Sequence, residues 1–199
     1  MNIQNITKSF NGEPILRGIS LQIKDGDIIY IKGANGSGKS TLLKIIAGIL
    51  DADSGTVDIE PGKDIGALIE NPGFIENETA EYNMRFLYDL KHKYDPEKVR
   101  YLFEEYELNI SSKKTVSKYS IGMRQKLGII QAVMEDQDIL LFDEPTRGLD
   151  DTAEETFTNM IIELQKQGKQ IIICAHDGVD AIPFTARYRL KHGTLTDLA

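Results

Sequence analysis

One stretch of the sequence decides the fold, Gly33-Ala34-Asn35-Gly36-Ser37-Gly38-Lys39-Ser40-Thr41. It satisfies the pattern GxxxxGK[ST], and it lies between an apolar run at 28–31 and an apolar helical pattern. In such a loop glycines let backbone N–H groups surround a phosphate, Lys39 reaches the outer phosphates and Ser40 offers a hydroxyl to Mg²⁺. At average composition, chance produces the bare pattern in roughly one chain in a hundred of this length. The stretch therefore predicts a strand, a phosphate-binding loop, a helix and a nucleotide ligand.

Two carboxylates follow about a hundred residues later. The apolar run Ile139-Leu140-Leu141-Phe142 ends in Asp143-Glu144. Such a run is typical of a strand in a parallel sheet whose carboxyl end lies at the ligand edge, and we expect it directly beside the 28–31 strand. Asp143 can then hold Mg²⁺ through water, and Glu144 can polarise an attacking water. Without the loop at 33–41, an acidic turn closing a core strand would be the better interpretation.

Composition limits the class of protein. The chain has 199 residues with 23 Lys and Arg against 31 Asp and Glu, a formal net charge of −8, and this length predicts one domain over 1–199. The acidic balance argues against a nucleic-acid partner. The single cysteine, Cys174, forbids an internal disulfide and fits a reducing compartment. Neither a secretory signal nor an apolar run of about 18 to 20 residues is present, so we expect a cytoplasmic location.

Hydrophobic periodicity predicts an α/β core. Alternating residues at 19–23 indicate a strand, and short strands are predicted near 55–60 and 64–69. The last third predicts a strand at 138–142, a helix at 151–167, a strand at 170–175 and a hairpin through 188–195. The middle differs, because Tyr82, Phe86, Leu87 and Leu90 share one helical face over 78–91, and Asp95-Pro96 begins a second helix. Residues 72–115 are therefore predicted to begin a helical lobe that extends into a helix from about 119.

Further motifs resemble those of the ATP-binding subunit of ABC transporters, across essentially the whole chain. Residues 119–125, Tyr-Ser-Ile-Gly-Met-Arg-Gln, resemble the LSGGQ signature, residues 148–150 match the D-loop, and His176 matches the H-loop histidine. The resemblance implies an α/β fold. This fold would have a P-loop NTPase core, a mostly parallel sheet with flanking helices, and an N-terminal antiparallel β-subdomain. Residues 1–71 and 116–199 would form the core and the subdomain together, and the helical lobe would be inserted between them.

The resemblance also implies an activity, its cofactors and its partners. It implies an ATPase that uses Mg²⁺, with Lys39, Glu144 and His176 catalytic, Ser40, Asp143 and Glu70 at the metal, and Phe10 on the adenine. Two subunits, expected to be a homodimer, would enclose ATP between the loop of one and the signature of the other. The signature residues are Ser120, Gly122 and Met123, with Asp150 in the D-loop. A separate multi-span membrane permease would hold the pair at the inner face of the membrane. Phe10 as an ordinary strand residue remains an equal alternative, and Ser120 also caps a helix.

This sequence departs from the family pattern at two motifs. Glu70 replaces the Q-loop glutamine, and a carboxylate can offer oxygen to Mg²⁺ or water but cannot donate a hydrogen bond. Ile121 and Met123 also depart from the signature. Segment 65–74 resembles the glutamate-containing Q-loop segment of bacterial ABC subunits that protect the cell against bacitracin and lantibiotics. This resemblance implies export of peptide antibiotics or other small molecules. A soluble single-cassette ABC ATPase for assembly remains an alternative, and a small P-loop nucleotide kinase is weaker because it leaves Ser120 unexplained.

Overall fold

The computed structural model describes residues 1–198. Within that range the strands are β1 Asn2–Phe10, β2 Glu13–Gln22, β3 Ile28–Lys32, β4 Ser54–Asp58, β5 Ile65–Leu68, β6 Ile139–Asp143, β7 Gln170–Ala175, β8 Ala186–Lys191 and β9 Thr194–Asp197. The helices are α1 Lys39–Ile46, α2 Ala80–Tyr88, α3 Pro96–Glu105, α4 Ile121–Val133 and α5 Asp151–Lys166, with a 3₁₀ turn at Val116–Lys118. None of these helices combines the length and the apolar character of a membrane span.

The strands form two sheets. The larger has six strands in the order β5-β6-β7-β3-β8-β9, and every pairing in it is parallel except that of β8 with β9. The smaller has the order β2-β1-β4 and is antiparallel. The predicted fold class, a mostly parallel sheet with flanking helices and an antiparallel β-subdomain, is confirmed.

The core lies on both faces of the larger sheet. Its central strands β3, β6 and β7 are nearly continuous apolar runs, which is the pattern of a strand buried on both faces. Successive side chains of a strand point to opposite faces. Ile29 and Ile31 therefore pack with α1 and the antiparallel sheet, while Ile28 and Tyr30 pack with apolar residues of α4, α5 and the helical segment.

The strand order corrects one sequence expectation. We expected the strand ending in Asp143 directly beside the one that leads into the glycine-rich loop, but β7 lies between β6 and β3. The apolar runs of β6 and β7 are equally buried, so periodicity alone cannot order them. Because the three strands are parallel, their carboxyl ends still share one edge, and Ser40 at the start of α1 reaches Asp143 there.

The helical segment between β5 and α4 contains α2 and α3. The apolar face predicted for α2 is largely exposed, since Tyr82, Phe86 and Leu90 retain 48%, 45% and 69% of their accessible surface. The buried face of this helix instead carries Asn83, which is 1% exposed. Its amide accepts a hydrogen bond from the Ile75 backbone N–H at 2.7 Å and donates to backbone carbonyls of that loop. The buried face of α2 therefore includes a polar residue whose hydrogen bonds are satisfied, beside the core residues Ala80, Met84 and Tyr88.

Helix α4 approaches β5 closely because both elements carry a glycine at the crossing. A Cβ atom built on Gly66 would lie 1.8 Å from the carbonyl oxygen of Ala132. One built on Gly128 would lie 2.7 Å from a methyl carbon of Leu68. The start of α4, which carries the signature motif, is held relative to the sheet by this contact.

Candidate functional site

A cavity of about 600 Å³ opens at the carboxyl edge of the larger sheet. It is lined by ten of the residues singled out in the sequence, namely Phe10, Asn35, Gly36, Gly38, Lys39, Ser40, Thr41, Glu70, Asp143 and Glu144, together with Ile15, Asn71, Gln125 and Arg147. Four others, Gly33, Ala34, Ser37 and His176, line a neighbouring cavity of about 610 Å³ on the other side of the loop. The residues of the loop, the two carboxylates and Glu70 therefore meet at one site.

The loop has the conformation that its glycines permit. Gly38 has φ +105°, and a Cβ atom there would lie 2.9 Å from a methyl carbon of Leu16, so only glycine fits without strain. Helix α1 starts at the next residue with no side-chain cap and no acidic residue in its first turn. Its first N–H groups and the positive end of its dipole are thus left for an anion in the cavity.

Lys39 is buried at the base of this cavity. Its side chain is 6% exposed, and its Nζ donates to the carbonyl oxygen of Gly33 at 2.7 Å. The same Nζ lies 3.3 Å from Oε1 of Glu144, an atom that is buried and otherwise has no hydrogen-bond partner within residues 1–198. A buried ammonium requires a negative partner, and here Glu144 supplies it.

Asp143 and Ser40 form the second polar contact of the site. The Ser40 hydroxyl donates to Oδ2 of Asp143 at 2.5 Å. Burial raises the pKa of Asp143, the hydrogen bond from Ser40 lowers it, and the charges of Glu144 and Glu70 raise it further.

This donor set fits Mg²⁺. The ion prefers oxygen ligands and is usually held by one or two carboxylates together with substrate phosphates and water. A hydroxyl and a carboxylate beside an anion-binding loop match that requirement. Within residues 1–198 no group of three or more His, Cys, Asp and Glu side chains is placed to hold a metal ion without such added ligands.

Two residues of the site have left-handed backbone conformations that are uncommon outside glycine. Glu144 has φ +48° and Glu70 has φ +57°. Such positions persist only where the surrounding structure fixes them, and they concentrate at functional sites. The backbone N–H of Glu144 donates to the carbonyl of Cys174 at 2.7 Å, and Glu70 Oε1 accepts from Lys44 Nζ at 2.7 Å.

His176 contacts Glu144 through its backbone and not through its ring. Its N–H donates to Oε2 of Glu144 at 3.1 Å, while its imidazole is exposed and contacts the carboxylate of Asp177. Phe10, at the end of β1, is 44% exposed and lies at the mouth of the cavity.

The signature residues form a separate cavity of about 430 Å³ with the D-loop. Ser120 is the N-cap of α4, and its hydroxyl accepts from the N–H of Met123 at 3.2 Å. Gly122 packs so closely on the D-loop that a Cβ atom would lie 2.5 Å from the carbonyl oxygen of Gly148. Asp150 caps α5 by accepting from the N–H of Ala153 at 2.9 Å.

Sequence reasoning missed three polar residues of the site. Gln125 donates from Nε2 to the backbone carbonyls of Glu144 and Pro145, both at 2.9 Å, and so ties α4 to the end of β6. Lys44 pairs with Glu70, and Arg147 lies at the cavity mouth. Gln125 is the last residue of the signature-like stretch 119–125, and this was the only available signal.

Comparison with known proteins decides the family. A family model described as ABC transporter matches residues 16–147, about two thirds of the chain. The chain belongs to the ABC transporter family. It is 30% identical over 184 residues to the lantibiotic transport ATP-binding protein SrtF of Streptococcus pyogenes, which covers 88% of this chain and 80% of that protein.

Other members of the family support this assignment. The chain is 34% identical to the uncharacterized ABC transporter ATP-binding protein YdbJ of Bacillus subtilis over 187 residues, but these span only 61% of that relative. Its structure superimposes on a dimeric structure of the bacterial ABC transporter cassette MJ0796 with a TM-score of 0.86 and 24% identity, over 100% of this chain and 98% of that one. The shared fold is that of an ABC cassette.

Proposed function

We propose that this chain is the ATP-binding and hydrolysing subunit of an ABC transporter, which dimerises around Mg·ATP to drive a separate membrane permease. The observation that carries the proposal is the single cavity where Lys39, Ser40, Asp143 and Glu144 meet at the start of α1. Each has a distinct task in phosphoryl transfer to water, and the family membership agrees with that chemistry.

The loop and α1 bind the triphosphate. Their N–H groups surround the phosphates, and Lys39 exchanges its contact with Glu144 for one with the outer phosphates. Ser40 and Asp143 would hold a Mg²⁺ ion, whose charge would offset that of the phosphate oxygens. Phe10 covers the adenine at the cavity mouth. These roles account for the buried lysine and the short Ser40–Asp143 contact in the same place.

Glu144 acts on the attacking water. Once Lys39 turns to phosphate, Oε1 of Glu144 is free to accept a proton from water, while Oε2 stays bonded to the N–H of His176. Gln125 fixes the backbone of Glu144 from the other side. The His176 imidazole lies in the neighbouring cavity, where it contacts Asp177, and is proposed to sense the γ-phosphate.

The second subunit completes the site. The residues that line the signature cavity, with Ser120 and Gly122 at its centre, are all different from those that line the nucleotide cavity of the same chain. Ser120 caps one N–H group at the start of α4, and the remaining N–H groups of the first turn can bind a phosphate, which a second copy offers. We propose a homodimer in which each signature faces the nucleotide bound by the other subunit, with Asp150 and the D-loop between the two.

A membrane permease is the proposed partner, and export of peptide antibiotics or other small molecules is the proposed task. The lantibiotic transport protein among the relatives supports this task. Tyr82 and Phe86 of α2, with Leu90 just after the helix, offer an exposed apolar surface for the permease. This partner would hold the subunit at the cytoplasmic face of the membrane.

Nucleotide binding by two variants tests the proposal. Lys39→Ala is expected to abolish measurable binding of Mg·ATP in calorimetry, because the buried ammonium is lost from the phosphate site. Lys166→Ala is the matched control, since Lys166 is an exposed residue of α5 whose partner is Glu163. Equal affinity in wild type and Lys39→Ala would refute the phosphate site.

Co-purification tests the transport part of the proposal. Tagged wild-type protein expressed in its native cell is expected to bring down a multi-span membrane protein, and Tyr82→Ser/Phe86→Ser is expected to lose it while still binding ATP. Recovery of a soluble assembly complex instead would favour the single-cassette assembly ATPase.

A further inference from the structure

Glu70 brings a third carboxylate to the nucleotide cavity. It follows β5 by two residues, and β5 pairs in parallel with β6, the strand that ends at Asp143. Glu70, Asp143 and Glu144 therefore lie at the same edge of the sheet, where a triphosphate would add further negative charge. Like charges close together are unfavourable, so a cation beside the third carboxylate helps the site to retain it.

Two of the three carboxylates have partners within the site. Glu144 faces Lys39, and Asp143 accepts from Ser40. Glu70 has a single ion-pair partner among residues 1–198, Lys44, whose Nζ lies 2.7 Å from its Oε1.

Lys44 is placed by the helix that carries the phosphate loop. It lies four residues after Ser40, and residues four apart on a helix share one face. The side that presents the Ser40 hydroxyl to Asp143 thus presents the Lys44 ammonium to Glu70 one turn later. The pair joins α1 to the segment that leads from β5 into the helical lobe, and Glu70 holds its left-handed backbone at this junction.

We propose that Lys44 is a positioning residue for Glu70. Its ammonium neutralises the Glu70 carboxylate and holds it at the nucleotide cavity, so that the Lys44–Glu70 pair takes the place of the uncharged glutamine in the family pattern. The inference rests on the proposed Mg·ATP function. The alternative is an ordinary surface ion pair, and exposed pairs of this kind contribute little to any measured property.

The test is a comparison of the same lysine change in two backgrounds. Wild type, K44M, K44R, E70Q and K44M/E70Q are titrated with the non-hydrolysed analogue AMP-PNP in the presence of Mg²⁺, and the dissociation constant is measured. K44M is expected to weaken binding about tenfold relative to wild type, because an uncompensated carboxylate then faces the triphosphate. K44R keeps the charge and is expected to bind within about threefold of wild type. In the E70Q background, K44M is expected to change the constant less than twofold.

Thermal unfolding and steady-state ATPase kinetics separate the outcomes. K44M is expected to raise KM for Mg·ATP and to leave the melting temperature within about 2 °C of wild type, because an exposed ion pair adds little stability. Three results would each overturn the proposal. They are an equal loss of binding by K44M in both backgrounds, no loss by K44M in either background, and an E70Q protein that cannot bind the analogue. If wild type itself fails to bind Mg·ATP, the proposed function fails as well. If wild type binds, Lys39→Ala does not and K44M has no effect, only this inference fails.

Discussion

Gly122→Ala is predicted to uncouple the signature motif from the D-loop while the subunit stays folded. The added Cβ atom would lie 2.5 Å from the carbonyl oxygen of Gly148, whereas ordinary contacts begin near 3.4 Å, so the two backbones must separate by about 0.9 Å. Such overpacking costs typically about 1–3 kcal/mol, and the higher helix propensity of alanine over glycine, about 1 kcal/mol, offsets part of it. We expect the free energy of unfolding to fall by roughly 0–2 kcal/mol.

The activity is expected to fall much further than the stability. A displacement near 1 Å between catalytic elements can cost about a hundredfold in rate, and the signature is proposed to face the γ-phosphate bound by the second subunit. Phosphate release at saturating Mg·ATP is therefore expected to drop by roughly a hundredfold in Gly122→Ala. Urea denaturation of the same preparation gives the free energy of unfolding.

Gly73→Ala is the matched control for this change. A Cβ atom on Gly73 would meet nothing within 4 Å, and Gly73 has no left-handed backbone conformation. It is expected to retain the stability and the ATPase rate of wild type within about twofold. A Gly122→Ala protein with the activity of Gly73→Ala would refute the reasoning that the close contact between signature and D-loop matters for hydrolysis.

Two further predictions concern stability. Gly66→Ala is expected to lower the free energy of unfolding by more than about 3 kcal/mol in urea denaturation. The reason is that its Cβ atom would lie 1.8 Å from the Ala132 carbonyl oxygen, so α4 would have to move away from β5. A loss below about 1 kcal/mol would contradict this close approach. The N–H of Ala153 and then Lys126 lower the pKa of Asp150, so its contribution to stability is present above the ordinary value of 3.8 and is lost as pH falls through the lowered pKa. The difference in melting temperature between wild type and Asp150→Asn is therefore expected to be largest near pH 7 and to shrink below pH 3.8, and a difference independent of pH would refute this.

Local signals predicted much of the fold and of the site. Neighbouring residues alone encode the buried runs of β3, β6 and β7, the helix start at Asp95-Pro96 and the cap at Ser120, and each lies where the pattern indicated. The rule that the carboxyl ends of parallel strands share one edge of a sheet also predicted that one cavity would contain Lys39, Ser40, Asp143 and Glu144. The division of the chain into a core and a lobe over 72–115 stays a prediction, as do the roles of the individual site residues.

What could not be predicted depends on contacts between distant parts of the chain. The face of α2 that carries Tyr82 and Phe86 is exposed, and its buried face includes Asn83, whose amide bonds the preceding loop, a contact that apolar periodicity does not encode. The position of β7 between β3 and β6 is likewise invisible to periodicity, because all three strands are equally apolar. The bonds of Gln125 to the end of β6 and of Lys44 to Glu70 join residues 19 to 26 positions apart, which no local pattern encodes.

The molecular mass of Glu144→Gln with and without Mg·ATP tests the central proposal most directly. Glutamine cannot take a proton from the attacking water, so this variant is expected to bind ATP and hydrolyse it slowly. Light scattering after size exclusion is predicted to give 22.3 kDa without nucleotide and twice that mass with Mg·ATP, while Lys39→Ala/Glu144→Gln stays at the smaller mass. A Glu144→Gln protein that binds ATP yet remains at 22.3 kDa, or that hydrolyses ATP at the wild-type rate, would contradict an ATP-held dimer with Glu144 as the base.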